Sequence, residues 1–189
     1  MGPKDETARR RHFEAHVLLH LNDLYRAALR LTRKPSDAED LVQETCLRAF
    51  QTLDQLRQTG AAKAWVFAIL RSVFLRQAER RAVQPMPASL EDLDSFATAT
   101  DLLGAVPVRA SPPQESLLQE IRQATLGLPL PYREVIVLAH IGGFSYREMA
   151  DILEVPLGTV MSRLFRARRL LRVALQGAGE RGRHVEPAR

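Results

Sequence analysis

The chain has 189 residues, 46% of them hydrophobic, with a formal net charge of +5 and an isoelectric point near 10; that length holds one medium domain or two small ones, and the positive balance points to a polyanionic partner such as nucleic acid. No run is long and apolar enough to span a membrane, the charged start MGPKDETARRRH has no apolar stretch behind it for a secretory signal, and Glu6 breaks the myristoylation pattern, so a cytoplasmic protein without membrane insertion is expected. The single Cys46 excludes an internal disulfide and a multi-thiol zinc site.

In chain order, the first periodic segment runs from Arg11 to Thr32. There Phe13, Val17, Leu21, Leu24, Ala28 and Leu31 recur at helical spacing and predict one long amphipathic helix. Pro35 stops it. Ser36 with Glu39 three residues on forms a capping-box pattern, so a second helix is expected from Asp37 to about Leu53, followed by a loop at RQTG. A third helix is expected from Ala62 to Arg81, with Trp65, Ile69 and Val73 inward and Arg71, Arg76, Arg80 and Arg81 gathering toward its end. Between Val83 and Pro113 the periodicity fails, prolines gather and the charges turn mostly acidic through Glu91, Asp92, Asp94 and Asp101, which is linker composition.

After Pro113 the pattern returns. Leu117, Leu118, Ile121 and Ala124 mark one helix, and LPLPYREVIVLAHIGG a second that ends at the Gly142-Gly143 pair. Ser145 and Glu148 form another capping-box pattern, which predicts a short helix from Tyr146 to Leu153, a tight break at Glu154-Val155-Pro156 and a long helix from Leu157 to about Leu175. Two helices joined by a three-residue turn are a helix-turn-helix. The fold class is therefore all-α: two small helical domains, residues 11–82 and 114–176, joined by a flexible linker at 83–113, with a disordered tail at 177–189.

Two faces carry chemistry. On the last helix Val160, Leu164, Ala167 and Leu171 form a narrow stripe that packs inward, while Ser162, Phe165, Arg166 and Arg169 point away, flanked by Thr159 and Arg163. Five arginines lie between Arg163 and Arg172 with no acidic residue among them, a pattern that suits phosphates and base edges in a major groove and also fits a solvated basic face. On the second helix Asp40, Gln43, Glu44 and Gln51 surround Leu47. A protein-docking surface and an ordinary solvated face with one exposed leucine fit this pattern equally well.

The parts of an enzyme are missing from the pattern. There is no glycine-rich phosphate loop and no Ser/His/Asp or Cys/His set. His12, His16 and His20 fall on one stripe at a spacing able to bind a metal, but they share it with Asp23, Arg26 and Arg30, so a solvated polar face is expected. Neither a metal nor a cofactor is expected.

The stretches DAEDLVQETCLRAF (37–50), AWVFAILRSVFLRQAERR (64–81) and FSYREMADILEVPLGTVMSRLFRARRLL (144–171) together resemble, in order and spacing, bacterial RNA polymerase sigma factors of the extracytoplasmic-function (ECF) group in the sigma-70 family. The resemblance implies that Asp40, Gln43, Glu44 and Leu47 dock on the clamp helices of the largest polymerase subunit. It implies that the third helix and the loop before it read the −10 element, with Phe67 and Ser72 facing a pocket for an unstacked base and Lys63, Arg71, Arg76 and Arg80 on backbone phosphates. Trp65 is read as core in preference to a stacking platform. The resemblance implies that the helix-turn-helix reads the −35 element through Thr159, Met161, Ser162, Arg163, Arg166 and Arg169, and that an anti-sigma factor holds the protein inactive.

Three positions depart from the family's habit: Met161 where lysine is frequent, Ser72 where asparagine is common, and Glu154 where the turn often has glycine. The expected function is promoter recognition and melting on behalf of core RNA polymerase. The rival is a helix-turn-helix regulator that binds DNA without joining polymerase; it predicts that Leu47→Arg is harmless.

Overall fold

The computed structural model describes residues 3–81 and 114–181, and among these the backbone forms only helices and turns. The expected linker at 83–113 and the end of the expected tail, 182–189, lie outside the described residues. Where one N-terminal helix was predicted, two are found, α1 (Pro3–His16) and α2 (Leu21–Thr32), with a 3₁₀ turn at Leu18–His20 between them. The His20 N–H donates to the Val17 carbonyl at 3.0 Å, an i→i+3 bond that tightens the chain and re-aims α2. Phe13 and Val17 on one side and Leu24, Ala28 and Leu31 on the other are thereby all buried, while Leu19 and Leu21 are left exposed.

Helix α3 (Pro35–Gln51) starts two residues before the predicted Asp37, with Pro35 in its first turn and Lys34 at the N-cap. Proline has no N–H to satisfy and its fixed φ suits the first helical position, so it opens the helix instead of only stopping the one before. No side chain caps this end, and Ser36 and Glu39 are both exposed; the capping box predicted there does not form. The chain reverses before it through Arg33 at φ +69, helped by the Thr32 hydroxyl, which donates to the Ala28 carbonyl at 2.9 Å.

Helix α4 (Ala62–Arg81) has the predicted bounds but a different inward face. Val66, Phe67, Leu70 and Val73 are buried, whereas Trp65 and Ile69 are only partly so. In the second half, α5 (Gln114–Gly127) leaves Leu118 and Ile121 of its apolar stripe exposed. Helix α6 (Leu130–Val137) is buried at every residue from Tyr132 to Leu138, including Arg133 and Glu134, as an element at the centre of a bundle must be.

A π-turn at Leu138–Gly142 ends α6, and the two glycines there do separate jobs. A Cβ on Gly142 would sit 2.3 Å from the Phe144 ring, and Gly143 has φ +68. Helices α7 (Tyr146–Leu153) and α8 (Leu157–Arg181) form the predicted helix-turn-helix. Here the capping box is real. Glu148 N–H donates to the Ser145 hydroxyl at 3.3 Å and Ser145 N–H donates to the Glu148 carboxylate at 2.8 Å. The turn runs through Glu154 at φ +54, and α8 packs by Val160, Leu164 and Ala167. Its backbone continues to Arg181, into the segment predicted to be disordered.

The two halves share one core. Phe67 of α4 meets Phe144 edge-on at 4.9 Å, Arg133 donates to the Leu31 carbonyl of α2 at 3.1 Å and to Leu128 at 2.8 Å, and Arg71 of α4 pairs with Glu134 of α6 at 2.9 Å.

Candidate nucleic-acid interface

The outer face of α3 presents Asp40 and Gln43 to solvent and Leu47 at 54% exposure, one helical turn apart, with Glu44 tied to Arg48 by an ion pair on the same face. The four residues predicted to dock on a protein thus share a surface. An apolar side chain in the middle of an acidic stripe is what a protein partner covers at the centre of an interface.

Beside this stripe, α3 and α4 enclose an open groove of about 630 Å³ lined by Leu47, Gln51, Thr52, Gln55, Trp65, Ile69, Ser72 and Arg76, among others. It combines an indole face, several hydrogen-bonding side chains and a cation. Arg76 Nη2 donates to the Ser72 hydroxyl at 3.2 Å, which fixes both at the groove's edge. Ser72, predicted to face a base, does line this groove. Phe67 does not: it is 2% exposed and packed against Phe144, so it is a core residue of the contact between the halves and closed to any base in this arrangement. Trp65, predicted to be core, is half-buried against the core and also lines the groove.

The four predicted phosphate ligands on α4 fall into two groups. Arg76 and Arg80 are exposed. Lys63 is paired with Asp23 at 2.9 Å and Arg71, through Nε, with Glu134 at 2.9 Å, so each cation is already partly neutralised by a carboxylate. On α8, Met161 at 51% exposure, Ser162 and Arg169 face solvent, while Thr159, Arg163 and Arg166 are half-buried, as is Phe165, which was expected to point outward. The Ser162 hydroxyl donates to the Thr159 carbonyl at 3.0 Å. All six sit on the first half of the second helix of a helix-turn-helix, the part of that motif that faces base edges when it enters a major groove.

Two family comparisons bear on these surfaces. The profile described as "Sigma-70 region 2" matches residues 16–83, and that described as "Sigma-70, region 4" matches residues 118–171. The ECF RNA polymerase sigma factor EcfG of Rhodopseudomonas palustris is 33% identical over 161 residues, covering 84% of this chain and 82% of that protein. The chain belongs to the ECF sigma factors of the sigma-70 family. The ECF sigma factor SigE of Mycolicibacterium smegmatis is 36% identical over 82% of this chain but 58% of its own length, so this chain spans little more than half of that relative. Among solved structures, the sigma factor RpoE in complex with the anti-sigma factor NepR from Bartonella quintana is similar at a TM-score of 0.65 and 30% identity, over 87% of this chain and 96% of that one. CnrH in complex with the cytosolic domain of CnrY is similar at 0.62 and 26%, over 89% and 90%.

The residues of this sigma factor that sequence reasoning missed are polar groups between its halves. Burial raises the Glu134 carboxyl above its ordinary range even though Arg71 beside it pulls the other way, and burial with Arg33 nearby pushes Arg133 down to about 10. Their signal was present as an Arg-Glu pair inside the apolar run LPLPYREVIV, where a charged pair flanked by core residues must find partners. Among the described residues no group of His, Cys, Asp or Glu is arranged to hold a metal, and no helix is long and apolar enough to cross a membrane.

Proposed function

We propose that this chain gives core RNA polymerase its promoter specificity. Residues 11–82 dock on the clamp helices through Asp40, Gln43, Glu44 and Leu47 and help melt the −10 region. Residues 114–176 anchor at −35 through the first half of α8, and residues 83–113 span the distance. The protein works by binding, in the cytoplasm, and leaves catalysis to the polymerase. The observation that carries this reading is the pairing, in one chain, of an exposed leucine on an acidic helix face with a capped helix-turn-helix that presents Met161, Ser162 and Arg169.

At the −10 element an extruded base enters the α3–α4 groove, stacks on Trp65 and is read by Ser72, with Gln51, Thr52 and Gln55 as further donors and acceptors. Stacking on an aromatic face contributes about 1–3 kcal/mol per base, which is the size of the unstacking cost it must offset. Arg76 and Arg80 hold the backbone through exposed guanidinium groups, while Lys63 and Arg71 join in competition with Asp23 of the same half and Glu134 of the other. The solved sigma factor RpoE in complex with the anti-sigma factor NepR supports an anti-sigma partner for this chain as well, which would hold it away from polymerase.

The test is binding of the purified chain to core polymerase by size-exclusion chromatography. Co-elution is expected, with Leu47→Arg lost from the complex at unchanged melting temperature. Leu47→Arg binding as tightly as the unmodified chain would leave a DNA regulator independent of polymerase.

A further inference from the structure

Helix α1 lies ahead of the span matched by the sigma-70 region 2 profile, which begins at residue 16. One of its side chains nevertheless reaches the groove half of the molecule. Arg9, with 17% of its side chain exposed, donates from Nη2 to the carbonyls of Phe50 at 2.8 Å and Gln51 at 2.9 Å, and its Nη1 lies 3.3 Å from the Asp54 carboxylate. Its guanidinium stands 5.4 Å over the Phe50 ring, which meets Phe13 of α1 edge-on at 5.4 Å.

The last carbonyls of a helix have no partner within it, and they carry the negative end of its dipole. Helix α3 ends at Thr52 with φ −107, not at a left-handed residue, so no glycine-type turn brings backbone N–H groups back to Phe50 and Gln51. Arg9 supplies those donors from a different helix. A planar fork reaches the two carbonyls from one nitrogen and the carboxylate from another, in a fixed geometry that the single nitrogen of an ammonium does not reproduce. Its Nε is buried with no partner, so the placement carries a desolvation cost that the other contacts outweigh.

What Arg9 holds is the segment from Phe50 to Asp54, and three residues of that neighbourhood, Gln51, Thr52 and Gln55, are one wall of the groove that faces Trp65, Ser72 and Arg76. We propose that Arg9 is a positioning residue for promoter reading, fixing that wall at the separation from Trp65 and Ser72 that suits one base over the others. The proposal rests on the reading of the groove as the −10 base site. A wall with a frayed helix end adapts to any base at similar cost, whereas discrimination needs groups held within about 0.5 Å of the productive geometry.

The experiment uses the full chain bound to core polymerase and single-stranded oligonucleotides carrying each of the four bases at the captured −10 position. Three quantities are read: core affinity, total oligonucleotide affinity, and the affinity ratio between best and worst base. Arg9→Ala is expected to keep core affinity within about twofold while the base ratio falls about tenfold, with Arg9→Lys recovering only part of the ratio. Arg9→Ala that weakens all four bases equally, or leaves the ratio intact, overturns the proposal, because a purely structural tie lowers the active fraction and not the discrimination. Should Arg9→Ala fail to fold, Asp54→Ala on its exposed turn removes the acceptor that Arg9 Nη1 meets, and an unchanged ratio there overturns the proposal equally. Trp65→Ala and Ser72→Ala run alongside; if they leave the ratio intact, the groove reading itself fails, and the role of Arg9 falls with it.

Discussion

Met161 is the residue whose neighbours say most about it. It is half exposed among Ser162, Arg163 and Arg169, on the face proposed to meet duplex DNA, at a position where relatives often carry a cation. Met161→Lys is expected to strengthen binding to duplexes of any sequence and to steepen the dependence of log affinity on log salt by about one unit, measured by anisotropy titration. Glu154 makes a second prediction at this scale. Its φ of +54 strains a residue with a Cβ by about 1–2 kcal/mol, and glycine relieves that strain at a backbone-entropy cost of about 0.5–1 kcal/mol. Glu154→Gly should therefore match or slightly raise the melting temperature, and Glu154→Val should lower it. The exchange of Phe67 and Trp65 shows where single residues were not legible. In AWVFAIL, at the start of α4, apolar residues cover the whole circumference, so no polar side orients the helix. Two positions apart is 200° of rotation, and which one faces inward is decided by Phe144, far away in the chain.

At the scale of elements, the two capping-box patterns had different fates for a local reason. Ser36 and Glu39 follow Pro35, which takes the first helical position and moves the N-cap back to Lys34, whereas nothing competes with Ser145. Ser145→Ala is expected to cost about 1 kcal/mol, read as a lower denaturation midpoint. Hydrogen bonds from Ser145 lower the Glu148 pKa below its ordinary 4.5. A carboxylate whose folded pKa is depressed contributes stability above its unfolded value and loses it as pH falls through the folded one. The stability lost on acidification below pH 4.5 should thus be smaller in Glu148→Gln than in the unmodified chain, by chemical denaturation at pH 6 and pH 3.5. The cap, the turn and the start of the last helix were legible to the residue because their signals are local, whereas the partial burial of Phe165 was not. The break between α1 and α2 was not, since no glycine or proline marks it and only the need to bury both Val17 and Leu24 bends the chain there.

The whole molecule holds an arrangement that sequence patterns do not encode, because it joins residues 63 positions apart. Arg71 is proposed to touch promoter DNA, yet it is paired with Glu134, a buried carboxyl in the other half. Glu134 therefore competes with phosphate for Arg71. The Glu134 pKa is raised by burial, so its folded form binds protons more readily than its unfolded one, and its contribution to stability is present below pH 4.5 and lost as pH rises through the raised value. Ionising the buried carboxyl carries a desolvation cost that Arg71 offsets only in part. Glu134→Gln should keep or raise the melting temperature at pH 7, flatten its pH dependence, and increase affinity for −10 single strands by freeing Arg71; a lower melting temperature at pH 7 would show that the ion pair stabilises the closed form. The central claim is that this chain programs core polymerase at promoters, and in vitro run-off transcription with mapping of 5′ ends tests it most directly. The account predicts transcripts that appear only with the chain present and start at a fixed distance downstream of a shared pair of −35 and −10 sequences. No promoter-dependent transcript from any genomic template, with the chain shown to be folded, would contradict it.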